Sequence, residues 1–184
     1  MRIAGISGSI RDDSYNSMLL KHIKEHYSNY FDLEIIKIDK LPLFNQAEEL
    51  DPPEVVKTFK NQIAEYDGVL ISTPEYNWSV PGVLKNSLDW LSRGERPMIG
   101  KPVMVVGASI SLMGTIRAQM DLRRILSAPG ISANVLPPAQ SEVLITQAHE
   151  KFDENGKLTD KATLEVVERA VKNFNEMLKV GQRV

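Results

Sequence analysis

The chain has 184 residues, 22 Lys and Arg against 24 Asp and Glu, 42% hydrophobic residues and no cysteine, which fits one compact domain over residues 1–184. Without cysteine there are no disulfides, thiolate zinc sites, iron–sulfur ligands or thiol nucleophile, so any redox chemistry has to be carried by a bound group. A net charge of −2 shows no broad basic excess and argues against a nucleic-acid partner or a polybasic membrane anchor.

Ile3 to Ile6 reads as a first strand, short, apolar and closed by serine and glycine. After Ser14, Leu19, Leu20, Ile23, Tyr27 and Tyr30 recur at helical spacing, and Leu33 to Ile38 gives a second strand. Asp51-Pro52-Pro53-Glu54 combines an N-cap candidate, proline in the first turn and a capping-box acid, so a second helix is expected to begin there. Gly68 to Ile71 and Val103 to Val106 are continuous apolar runs, as in central parallel strands covered on both faces. Val80, Val83, Leu84, Leu88 and Leu91 mark a third helix between them. Ala118, Leu122, Ile125 and Leu126 mark a fourth that ends before Pro129-Gly130. Ile131 to Leu136 reads as a fifth strand, and Val167, Ala170, Val171, Phe174, Met177 and Leu178 form a terminal helical stripe. Asp39 to Asp51 and Ser141 to Thr159 are the long connections.

Alternation of this kind implies an α/β fold with a parallel sheet, because parallel neighbours need crossovers and helices usually supply them. Ligands in such sheets bind beyond the carboxyl ends of the strands, at the point where strand order reverses. The segments after the first, third and fourth strands therefore matter most.

The first of these, Ser7-Gly8-Ser9-Ile10-Arg11-Asp12-Asp13-Ser14-Tyr15-Asn16-Ser17, brings hydroxyls, an amide, an arginine and a helix N-terminus together as a phosphate cradle. Arg11 can grip two phosphate oxygens, with Asp12 and Asp13 turned to solvent. The alternative is a serine-rich loop that only caps a helix. Gly5-Ile6-Ser7-Gly8 lacks the dinucleotide spacing. Gly94 to Gly100-Lys101-Pro102 misses the P-loop by one residue and by Pro102, and reads as a turn before the fourth strand. After the third strand, Thr73-Pro74-Glu75-Tyr76-Asn77-Trp78-Ser79-Val80-Pro81-Gly82 offers two stiffening prolines and two aromatics beside an amide and a carboxylate. Such a wall suits a planar polar heterocycle, unless Tyr76 and Trp78 plug the sheet end as core. Cradle and wall together describe a mononucleotide site.

Gly8-Ser9-Ile10-Arg11 with Ser14 and Asn16, Pro74-Glu75-Tyr76-Asn77 through Pro81-Gly82-Val83-Leu84-Lys85-Asn86 to Asp89-Trp90, and Gly114 with Arg117-Ala118-Gln119 resemble the NADPH-dependent FMN reductase family. That family includes quinone, chromate and azo-dye reductases. The resemblance runs over nearly the whole chain and is weakest beyond about Gln140. It implies a flavodoxin-like three-layer sandwich, a parallel sheet of about five strands in order 2-1-3-4-5 with helices on both faces. It implies Ser9, Arg11, Ser14, Asn16 and Ser17 around the FMN phosphate, Pro74, Glu75, Tyr76 and Asn77 bordering the isoalloxazine largely through backbone groups, and Ser109 at the next strand end. Where family members often carry paired glycines, this sequence has Met113-Gly114-Thr115-Ile116-Arg117.

The activity implied is hydride transfer from NADPH (or NADH) to FMN, followed by ping-pong reduction of quinone, azo, chromate or flavin acceptors. The flavin carries the chemistry, and no catalytic side chain is expected. A flavodoxin-type electron carrier without direct NADPH oxidation is the alternative. A serine hydrolase is disfavoured, because Ser7, Ser9 and His149 miss the nucleophile-elbow pattern. His22 and His26 stand four apart and are expected on a solvated face, with no metal. The family forms dimers and tetramers, so a homodimer or homotetramer is expected, with Tyr76, Trp78, Trp90 and Arg93 as candidate surface, each equally open to intramolecular packing. The remaining partners are small-molecule acceptors. No apolar run approaches the ~18–20 residues of a membrane span, and the first residues do not read as a signal peptide, so the expected location is cytoplasmic.

Overall fold

The computed structural model describes residues 1–181; residues 182–184 of the expected domain lie outside the described part. Strands and helices alternate as β1 (Arg2–Ser7), α1 (Tyr15–His26), β2 (Asp32–Ile36), α2 (Glu54–Ala64), β3 (Gly68–Ser72), α3 (Gly82–Leu91), β4 (Pro102–Ala108) and α4 (Ile116–Leu126). The chain continues through β5 (Asn134–Val135), α5 (Pro138–Ser141), β6 (Val143–Ile145), α6 (Ala148–Lys151) and the long α7 (Lys161–Gly181). The sheet order is β2-β1-β3-β4-β5, with β6 also on β4, and every pairing is parallel. This is the 2-1-3-4-5 order that the resemblance implies.

Alternate strand residues point to opposite faces, and each face has its own core. On one, Leu19, Leu20 and Ile23 of α1 and Val171 and Phe174 of α7 pack against Ile3, Leu33, Leu70 and Met104. On the other, Phe59, Ile63, Leu84, Leu88 and Leu122 from α2, α3 and α4 pack against Ala4, Ile6, Val69, Ile71 and Val105. The division follows from topology. Right-handed crossovers put α1 on one face because β1 to β2 runs one way across the sheet, while later crossovers run the other way and put α2, α3 and α4 opposite. The reversal between β1 and β3 leaves a crevice at their carboxyl ends.

Four expectations need correction. The fifth strand is split: only Asn134 and Val135 pair with Pro102 and Val103, and Val143, Leu144 and Ile145 later pair with Val106, Gly107 and Ala108. Pro137 and Pro138, which lack N–H donors, interrupt the ladder and force the short α5 between the pieces. β6 thus lies inside what reads as a loop. Asp51 does not cap α2. Pro53, extended at ψ 150°, holds the cap position, and Asp51 pairs instead with Lys57 Nζ at 2.8 Å. Trp90 is not a surface residue, at 1% exposure. Its Nε1 donates to the Pro42 carbonyl at 2.8 Å and its ring meets Phe44 edge-on, so it ties the Asp39–Asp51 connection to α3. His22, finally, is 4% exposed, although His26 beside it faces solvent.

Candidate active site at the carboxyl edge of the sheet

The loop after β1 closes on itself through hydroxyls. Ser7 Oγ donates to the Ser9 carbonyl at 3.0 Å and lies 3.0 Å from Ser17 Oγ, while Ser9 Oγ accepts from the Arg11 N–H at 3.3 Å. Ser14 is the N-cap of α1, its Oγ accepting from the Asn16 N–H at 3.2 Å. Among the described residues no acceptor reaches the Tyr15 or Ser17 amide, so two first-turn N–H groups stay open at the positive end of the helix dipole. Arg11 is exposed and pairs through Nε with Asp13 Oδ1 at 2.9 Å; Asp12 is exposed too, but it lines the same cavity instead of turning away from it. A cavity of about 350 Å³ opens here, lined by Ser7, Ser9, Arg11, Ser17, Lys21 and the end of β2 with Lys37.

Asn16 belongs to the frame of this cradle. Its Nδ2 donates to the Ala108 carbonyl at 2.9 Å, and its Oδ1 accepts from the Ala108 N–H at 3.0 Å and from Ser72 Oγ at 2.9 Å. The side chain fastens α1 to the ends of β3 and β4, which fixes where the open amides point. Lys21 and Lys37 were not singled out by the sequence. Lys21 does follow Ser17 by four residues on one helix face, a spacing that places it beside the loop.

The wall after β3 stands directly against this loop. A Cβ added to Gly8 would lie 3.1 Å from Pro74 Cδ and 3.2 Å from Thr73 Oγ1, so glycine is what allows the two segments to touch. The Glu75 side chain is 10% exposed and turns toward α4, where Oε2 accepts from the Arg117 and Ala118 N–H groups at 2.9 and 3.1 Å. Its Oε1 takes Arg117 Nη1 at 3.3 Å. The Glu75 carboxylate is thus engaged by α4 through both oxygens. Tyr76 and Trp78 do not plug the sheet end, at 50% and 73% exposure. They flank Asn77 in a two-residue turn closed by reciprocal Tyr76–Ser79 backbone bonds of 3.0 Å.

After β4, Ser109 extends the ladder by donating its N–H to the Ile145 carbonyl at 2.9 Å, so the late strand β6 fixes this loop. Ser109 Oγ is turned into its own loop, 3.2 Å from Ser111 Oγ. In Met113-Gly114-Thr115 only Gly114 has a positive φ, 60°, while Met113 is exposed and Thr115 is buried at the N-cap of α4. One glycine is therefore enough for the turn. His149 pairs only with Glu150, at 3.6 Å, and no hydrogen bond among the described residues joins it to Ser7 or Ser9.

The donor set suits a phosphate monoester. It comprises two open helix amides, serine hydroxyls and three cations at one crevice, which outnumber the two carboxylates there, Asp12 and Asp39, with backbone and aromatic surface beside them. That combination fits FMN.

Comparison with known proteins agrees. The NADPH-dependent FMN reductase family matches residues 1–150. The chain is 38% identical to the NADH-dependent flavin reductase subunit 2 of Lactobacillus johnsonii, over all of both chains. It is 39% identical to a 2-hydroxy-1,4-benzoquinone reductase of a Burkholderia species, covering 89% of this chain and 88% of that one. Its fold superimposes on the flavoenzyme NAD(P)H:(acceptor) oxidoreductase FerB of Paracoccus denitrificans with TM-score 0.86 and 30% identity, covering 97% of each chain. The protein is an oxidoreductase with a flavodoxin-like fold and belongs to the NADPH-dependent FMN reductase family.

Proposed function

We propose that residues 1–184 form a single FMN-binding domain that oxidises NAD(P)H and passes the electrons to small-molecule acceptors by a ping-pong route. The observation that carries this reading is the open N-terminus of α1, with two unpartnered amides among serine hydroxyls, set against the Pro74–Asn77 wall at the strand-order reversal. In this reading Ser9, Arg11, Ser14 and Ser17 hold the phosphate, and Asn16 acts through the frame. Backbone groups of Pro74, Glu75, Tyr76 and Asn77, with Ser109, border the ring. When bound, FMN supplies the hydride and electron transfer between NAD(P)H and the acceptor. No acidic, basic or nucleophilic side chain is required. Backbone N–H groups beside the ring stabilise the added negative charge.

Quinones, azo compounds, chromate and free flavin are the acceptors in this reading, and the names of the relatives support flavin and quinone. Both NADH and NADPH stand as donors, since one relative is named NADH-dependent and the FerB flavoenzyme NAD(P)H-dependent. A homodimer or homotetramer in the cytoplasm completes the reading. The oligomer is supported by the apolar side chains left exposed on the loops after β3 and β4, among them Tyr76, Leu112 and Met113. Among the described residues no helix is long and apolar enough to cross a membrane.

Titration of the purified protein with FMN, followed by quenching of flavin fluorescence, tests the cofactor directly. Saturation at one FMN per chain is expected; absence of saturable quenching overturns the reading.

A further inference from the structure

The turn that carries Trp78 is built against its own backbone preference. Asn77 and Trp78 have φ of 50° and 65°, so both central residues of the two-residue hairpin lie in the left-handed region, as in a type I′ turn. Such turns favour Asn followed by Gly, because a bulky side chain at positive φ is strained. Here the asparagine is present and tryptophan stands where glycine fits. Burial does not repay the strain, since the indole is 73% exposed.

The indole is nevertheless fixed. The Arg117 guanidinium lies 4.8 Å from the ring centroid, over one face, and is itself held by Glu75 at 3.3 Å. The far side of the turn is tied down by Ser79 Oγ, which donates to Asp121 Oδ2 at 2.7 Å. Both ends of the turn are thus anchored to α4. Among the described residues no other aromatic ring or guanidinium covers the opposite face. What remains is a flat aromatic surface, held on one face by Arg117 and open on the other, in the loop that follows β3 and carries the Pro74–Asn77 wall.

We propose that Trp78 is a specificity-determining residue: a platform, clamped by Glu75 and Arg117, on which a planar aromatic acceptor stacks. The inference rests on the FMN oxidoreductase reading and adds the residue that selects among its acceptors. The negative face of an indole complements the electron-poor ring of a quinone or azo compound better than the electron-rich product of its reduction, so the platform holds substrate and releases product. A platform fixed in advance also spares the ordering cost that a mobile side chain incurs on binding. In a homo-oligomer the indole serves whichever copy's site it faces.

Steady-state kinetics of the FMN-loaded enzyme with 1,4-naphthoquinone, planar and aromatic, and with ferricyanide, neither planar nor aromatic, provide the test. Trp78→Gly is expected to lower the preference for naphthoquinone over ferricyanide, in kcat/KM, by about three- to tenfold, through KM rather than kcat. Trp78→Phe restores most of the preference. Glycine adopts positive φ freely, so the Trp78→Gly protein keeps its melting temperature, and misfolding does not explain the loss. An unchanged preference in Trp78→Gly overturns the proposal while the FMN reading stands. A wild-type protein that turns over neither acceptor with NAD(P)H overturns both.

Discussion

Arg11 and Asn16 stand five residues apart in one loop-to-helix segment and do different work. The Arg11 side chain is 61% exposed and held only by Asp13, so it is free to exchange one carboxylate for a phosphate. Asn16 is buried, with its amide engaged on Ala108 and Ser72. Arg11→Ala is therefore expected to weaken FMN binding by about 1.5–3 kcal/mol, the range of a charge-assisted hydrogen bond, with the urea midpoint unmoved. Asn16→Ala strands the Ala108 N–H and carbonyl and is expected to cost about 2–4 kcal/mol of stability, read as a lower urea midpoint. The reverse pattern, with Asn16→Ala stable and Arg11→Ala unfolding early, contradicts the assignment. The sequence placed both residues at the site, and only the structure separates them. An asparagine reads alike whether its amide faces a ligand or two strand ends.

Among the elements, α1 carries the cradle at one end and the His22–His26 pair at the other. The two rings stack at 4.1 Å, and neither nitrogen of His22 has a partner. Burial first, and then the charges of His26 and Lys157, push the His22 pKa down to about 4. The folded protein thus refuses a proton that the unfolded chain accepts. Stability is intact above the unfolded value of 6.5 and falls as pH drops from there toward 4. Between pH 7 and pH 5 the loss from this residue is about 2 kcal/mol. Thermal melts of wild type and His22→Leu at both pH values should show a smaller acid shift in the variant; identical shifts contradict the account. His22 turns inward from a polar stretch of sequence for a physical reason. Lys21, Lys24 and Glu25 around it are solvent-facing, yet a 3.6-residue period turns the intervening position inward beside Ile23.

At the scale of the whole molecule, the layer order and the position of the crevice were legible, because crossover handedness leaves little freedom once strands and helices alternate. The continuous runs in β3 and β4 identified the centre of the sheet for the same reason: both faces there are covered. The split of the fifth strand was not legible. Val143, Leu144 and Ile145 are too few to read as a strand alone, and they pair only because β4 extends past the point where Pro137 and Pro138 halt β5. Nor does any local pattern announce that Glu75 caps α4, a contact 42 residues away in sequence. In the proposed function, the fold brings an FMN phosphate to α1 and its ring to the β3 and β4 loops, where NAD(P)H reduces it. Anaerobic addition of NADH or NADPH to the equimolar FMN complex, followed by the visible flavin absorption, tests it most directly. Bleaching by one equivalent of nucleotide and return of the absorption on adding a quinone are predicted; a flavin spectrum unchanged by both nucleotides would contradict the account and leave a flavodoxin-type carrier in its place.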